Sequence, residues 1–205
     1  MAAVEPGGNG DAEVRLRFGG PEVAVLRSVV DQLDGLLGEI SPSPERRRRP
    51  GAEPSAPLDA LAEMLHLPGP VESPTDPALR RLFPDAYQGD PSAAAEFRRY
   101  TQETLCAGKR ADLGVVRRTL DEIEATGEAP VGGKQLDAWL RTLTDARLVL
   151  GVRLGIERED DVDRLEEELA EGPTISPRAA AFGLFNWLGL LLEELVEAAS
   201  GQSSG

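Results

Sequence analysis

The sequence predicts a mainly α fold, a single-domain helical bundle with a short β element at its front, and three observations carry that prediction. Several stretches repeat their apolar residues every three or four positions, as one face of a helix does. Three of those stretches open on a capping side chain followed by proline, at Asp76-Pro77, Asp90-Pro91 and Ser176-Pro177. A proline at the first helical position loses nothing, because the amide hydrogen it lacks has no partner there anyway. Only one stretch, Glu13 to Phe18, alternates apolar and charged residues with the period of a strand.

The elements follow in order. Met1 to Ala12 is small, polar and acidic and reads as a disordered tail. Glu13 to Phe18 (EVRLRF) must pair with another segment, since one strand forms no sheet. Glu22 to Leu37 carries helical periodicity through Val25, Val29, Leu33 and Leu36. Residues 41–57 (SPSPERRRRPGAEPSAP) offer proline, serine and charge but almost nothing to bury, the composition of a flexible linker. Arg46 to Arg49 within it could touch nucleic acid or an acidic surface, although a solvated charge run is the plainer account. A short helix follows from Ala56 or Pro57 to Leu67 and stops at Pro68. A long helix spans Ser92 to about Ala125, with Gly108 and Gly114 expected to bend or split it. Helices at Lys134 to Ile156, Asp160 to Glu171 and Pro177 to Ser200 complete the set. The expected organisation is a domain over 13–200, interrupted at 41–57, with tails at 1–12 and 201–205.

The most informative stretch is Leu136 to Ile156. At about 100° per residue, Leu136, Trp139, Leu140, Leu143, Leu150 and Leu154 fall within roughly 60° of one direction, and Arg147 falls among them. Arg147 is therefore expected to be partly buried and to act as a structural anchor with Trp139 packing nearby. A guanidinium keeps its charge, so the expected partner is a carboxylate or a set of backbone carbonyls, and Arg147→Leu is expected to destabilise the fold. Arg153 lies off that face, where a partner could reach it. The last helix is apolar almost all round from Ala181 to Leu192, which suits a central core helix or, failing that, a homodimer seam.

Composition narrows the function classes. A chain of 205 residues that is 40% hydrophobic can build a sizeable core, and an aromatic share of 4% leaves leucine, valine and alanine to fill it. The formal net charge of −14 works against broad contact with phosphate backbones, so a protein partner is more natural than DNA. The amino terminus shows no secretory signal. The apolar run Ala179 to Leu192 stops short of the roughly 20 residues that cross a bilayer. No membrane attachment and a cytoplasmic location are expected. One cysteine excludes an intramolecular disulfide and fits a reducing compartment.

Catalytic signatures are weak. His66, the one histidine, sits between Leu65 and Leu67 with no nucleophile in a recognisable pattern. The carboxylates Glu157 to Asp163 lack the glycine and spacing of a calcium loop, and better suit the first turn of the next helix. Gly132-Gly133-Lys134 lacks the remaining positions of a phosphate loop. No enzyme, metal or cofactor is expected. An enzyme that used Asp137, Asp145 and Glu193 in one pocket would have no motif behind it.

Three blocks carry a family resemblance. The first is Trp139-Leu140, then Asp145-Ala146-Arg147-Leu148, then Leu150 to Ile156 (LGVRLGI). The second is Arg81 to Tyr87 (RLFPDAY) with Ala94 to Tyr100 (AAEFRRY), and the third is the last helix with Phe185, Trp187 and Leu188. Together they resemble an actinobacterial family long filed as a domain of unknown function, also called the AosR or oxidative-stress transcriptional regulator family, over about residues 13–198. The resemblance implies a non-enzymatic regulator that contacts an extracytoplasmic-function sigma factor or RNA polymerase and promotes cysteine biosynthesis genes. Genes of the family are commonly neighbours of that for the ClpS adaptor, so an accessory or adaptor of the Clp proteolysis system is the alternative. The family also implies redox sensing through an intramolecular disulfide, which one cysteine cannot form. Either Cys106 is the redox candidate, through sulfenic acid or an intermolecular bond, with Lys109 and Arg110 favouring a thiolate and Glu103 opposing it, or it is a plain, little-reactive cysteine and this member does not share the switch.

Overall fold

A computed structural model describes residues 3–6, 13–40, 71–87, 89–171 and 176–200. Six helices and one three-stranded sheet stand among them, so the protein is mainly α. In chain order they are β1 (Ala3–Pro6), β2 (Glu13–Arg17), α1 (Gly20–Gly38), α2 (Pro77–Leu82), α3 (Pro91–Thr126), β3 (Ala129–Gly132), α4 (Lys134–Leu154), α5 (Glu159–Glu171) and α6 (Pro177–Ser200). The linker expected at 41–57, the helix expected up to Leu67 with His66, and the tail at 201–205 lie outside the described residues. The described residues fall into two compact units, one drawn from 1–34 and 109–205, the other from 35–108.

In the first unit β2 is the central strand of an antiparallel sheet ordered β1-β2-β3. Its alternation puts Val14 and Leu16 on one face, opposite Val131 and Ala129 of β3, and all four are fully buried. Such directly opposed apolar pairs are what stabilise one face of a sheet. The other face carries Arg15 and Arg17, which bind the Glu128 carboxylate at 2.5 and 2.7 Å. Residues 3–6 were expected in a disordered tail and instead form β1, because Val4 and Glu5 pair with Leu16 and Arg15 along the β2 edge.

The helices of this unit cover the sheet. α6 packs against β1, β2 and α4, and α4 also meets β3. Leu154 of α4, Leu165 of α5, and Phe182 and Phe185 of α6 form one buried cluster. α4 ends where Gly155 takes a left-handed conformation (φ 78°) and the Ile156 amide returns to the Gly151 carbonyl at 2.8 Å, a stop that glycine allows at little steric cost. Along α1, Arg27 binds Asp121 and Glu124, while Arg117 of α3 binds Asp31 and Asp34.

The predicted caps are all present. Asp76 accepts from the Ala78 amide at 2.7 Å, Asp90 from Ser92 and Ala93 at 3.0 Å, and Ser176 from Ala179 at 3.0 Å. α3 runs unbroken for 36 residues, so Gly108 and Gly114 do not split it. Each glycine weakens a helix by about 1 kcal/mol, which is less than breaking the hydrogen-bond ladder requires.

In the second unit, Ala78, Leu79, Leu82 and Phe83 are buried, and α3 contributes Ala94, Arg98, Gln102 and Cys106 at four-residue spacing as its inward face. Arg98 donates through Nε to the Val71 carbonyl at 3.0 Å and through Nη1 to Asp85.

Candidate functional site

The helix that carries the sequence signature, α4, turns Trp139 wholly inward. Its indole lies 5.8 Å from the Phe18 ring, tilted by 33°. Trp139 Nε1 and Thr142 Oγ1, one turn apart on α4, are both buried and have no hydrogen-bond partner among the described residues. These are unsatisfied donors in a tightly packed face, and they mark it as polar in part.

Arg147 is half-buried two turns further along. Its Cζ stands 4.6 Å above the Phe185 ring, and its guanidinium lies against the backbone of Gly189 on α6. The carboxylate or carbonyl partner expected from the sequence is not there: among the described residues Arg147 makes no ion pair, and its Nε is buried without a hydrogen bond. The physical reason is the sequence of α6. Phe185 and Gly189 are four residues apart on one helix face, so the ring supplies a negative π-face and the glycine supplies the room. Arg153 is exposed in the last turn of α4, off the Arg147 face.

Cys106 is fully buried and its Sγ donates to the Leu37 carbonyl at 3.5 Å. The two cations that follow it in sequence are each held by a carboxylate: Lys109 by both oxygens of Asp145 at 2.7 and 2.8 Å, and Arg110 by Asp34 at 3.0 Å. Burial raises the Asp145 carboxyl above the ordinary aspartate range even though Lys109 opposes that shift. Glu128 moves the other way, because Arg17 and then Arg15 stabilise its ionised form. Asp161 is lowered as well, by the Glu157 and Arg158 amides that it accepts at the start of α5. That arrangement is the first-turn loading expected of this acidic stretch.

The structure brings Trp139 and Arg147 onto one helix and leaves Cys106 in the other unit. It does not assemble the three carboxylates of the enzyme reading: Asp137 and Glu193 are exposed, while Asp145 is committed to Lys109. Among the described residues no three histidine, cysteine or carboxylate side chains are grouped to hold a metal. Sequence reasoning missed Arg98, whose pair with Asp85 joins the RLFPDAY and AAEFRRY blocks, as does the edge-on contact of Tyr87 with Phe97 at 6.2 Å. The signal was present, since Arg98 shares the four-residue spacing of Ala94, Gln102 and Cys106.

By length and composition α6 is long and apolar enough to cross a bilayer, whereas the 179–192 run alone falls short of that length. Its Phe182, Phe185, Leu188, Leu191 and Leu195 are nevertheless buried within the protein.

Comparison with known proteins adds the family. No solved structure matches the chain. A Mycobacterium leprae protein, named provisionally as oxidative stress regulator AosR, is 32% identical over 191 residues, covering 86% of this chain and 78% of its own. The oxidative stress regulators AosR of Mycobacterium bovis and Mycobacterium tuberculosis are each 30% identical over 190 residues, covering 85% of this chain and 77% of theirs. The family model of the domain of unknown function DUF2017 matches residues 1–199, and the chain belongs to that family.

Proposed function

We propose that this protein is a non-enzymatic, cytoplasmic regulator of the oxidative-stress response, acting through protein contacts with an extracytoplasmic-function sigma factor or RNA polymerase and promoting cysteine biosynthesis genes. The observation that carries the reading is the naming of relatives that match over most of the chain as oxidative stress regulators. The net charge of −14 supports contact with a basic protein surface rather than with DNA. Arg153, exposed at the end of the signature helix, is a candidate contact. Cys106 is the redox candidate, and its burial makes any reaction depend on local opening of the second unit.

The test is affinity purification of tagged wild type and Cys106→Ser from cells with and without oxidant, with mass spectrometry of the partners. Recovery of a sigma factor or polymerase that varies with oxidant and with Cys106 is the expected result. Recovery of Clp components instead would replace the regulator reading with the adaptor one.

A further inference from the structure

We propose that the outer stripe of α6 is a docking face for a basic amphipathic helix of a partner protein. The proposal rests on the regulator reading above and assigns a surface to its protein contact. Ala180, Gly183, Trp187, Leu190, Glu194 and Glu197 follow one another at three- and four-residue intervals, which places them along one side of the helix. Leu190 is 59% exposed. Ala180 and Gly183 are exposed too, and Trp187 is half-buried. The far side of α6, with Phe185, Leu188 and Leu195, is already buried by the fold, so the exposed Leu190 and the outer part of Trp187 are not needed to fill the core.

Gly183 is exposed, with nothing within 4 Å of where its Cβ would stand, so it adds no bulk one turn before Trp187. Tryptophan is among the residues that dominate binding energy when water is excluded around them. The charge then sets the class of occupant. The stripe passes from apolar to acidic at Glu194 and Glu197, with Glu193 exposed beside them. A helix with leucine-like anchors over two turns and lysine or arginine over the next two meets both halves. A second copy of this chain brings the same glutamates and the same net charge of −14, and an anionic lipid surface repels them likewise.

The experiment uses the full chain and a fluorescent helical peptide of about four turns, with leucines at i, i+3, i+4 and i+7 and lysines at its end. A matched peptide carrying glutamates in place of the lysines is the comparison. Anisotropy titration is expected to show binding of the lysine peptide alone. Leu190→Ser weakens that binding by about tenfold or more, and Glu194→Gln with Glu197→Gln weakens it while flattening its salt dependence. Phe97→Ser, at an exposed aromatic of α3, leaves it unchanged. Thermal melts confirm that each variant is folded. Equal binding by all variants, or by the glutamate peptide, overturns the proposal. So does a wild-type dimer that Leu190→Ser dissolves, or binding to phosphatidylglycerol vesicles that depends on Leu190. A sigma factor or polymerase still recovered with Leu190→Ser would overturn this surface while leaving the regulator reading intact.

Discussion

Arg147 and Gly189 are fitted to each other: a Cβ at position 189 would stand 3.1 Å from Arg147 Cζ and 3.2 Å from Nη2. Glycine there is what lets the guanidinium sit against α6 with its Cζ 4.6 Å from the centre of the Phe185 ring. Helix propensity alone favours alanine over glycine by about 1 kcal/mol. The crowding opposes that gain, because the guanidinium, held against the Phe185 ring, must shift by a few tenths of an ångström to make room. Gly189→Ala is expected to lower stability by about 1 kcal/mol in the wild type and to raise it by about as much in an Arg147→Ala background. Urea unfolding of the four proteins measures the coupling, and a gain in both backgrounds would contradict the fit.

The partner found for Arg147 changes what its removal should do. Breaking a buried ion pair leaves an orphaned charge and costs about 3–5 kcal/mol, but here no carboxylate among the described residues loses its partner. Arg147→Leu removes a cation–π contact of about 1 kcal/mol and relieves the desolvated Nε. The sequence argument expected destabilisation. The geometry now predicts a shift within about 1 kcal/mol for Arg147→Leu, checked by the same unfolding curves, and a loss of several kcal/mol would restore the hidden anion.

Arg98 shows the contrary case. Its side chain is 9% exposed and depends on Asp85 and the Val71 carbonyl. Asp85→Ala leaves a nearly buried guanidinium with one carbonyl. Because Asp85 itself is 39% exposed and water can replace it in part, the expected loss is about 1–3 kcal/mol rather than the full cost of a broken buried pair. Proteolysis of the second unit, followed by limited digestion and mass spectrometry, should accelerate in the variant. An unchanged digestion rate would show that the pair ties nothing down.

Acid should reveal two opposing groups of carboxylates. For Glu128 and Asp161 the folded state holds the ionised form more strongly, so their contribution is present above the ordinary carboxylate range and is lost as pH falls through their depressed values. Asp145 has the opposite sign. Its raised value means that the folded state binds the proton more readily, so its contribution grows as pH falls through that value. Glu128→Gln is therefore expected to lose less stability than wild type on acidification, and Asp145→Asn to lose more. Denaturation curves across the acidic range decide it, and the reverse order would refute the assignment of signs.

The helices were legible because their evidence is local: a cap, a proline and a period within one stretch of chain. The strand at 13–17 was legible for the same reason, through the alternation of Val14 and Leu16 with arginines. Its partners were not. β3 is APVG, four residues that include proline and glycine, and only pairing with β2 makes it a strand. The same limit applies to Arg147. A projection identifies the face on which a side chain lies, but what stands opposite comes from another helix, here Phe185 and Gly189. Arg98 was within reach of the projection that found Arg147, since its neighbours at four-residue spacing are Ala94 and Gln102.

The sheet order gives the chain a schedule. β1 and β2 are near neighbours in sequence, but Arg15 and Glu128 are 113 positions apart, and both β3 and the carboxylate that gathers the two arginines arrive only after α3 has been made. On a ribosome adding roughly 5–20 residues per second, β2 waits seconds for its β3 partner. Until then the face that carries Arg15 and Arg17 lacks the carboxylate that later binds both of them.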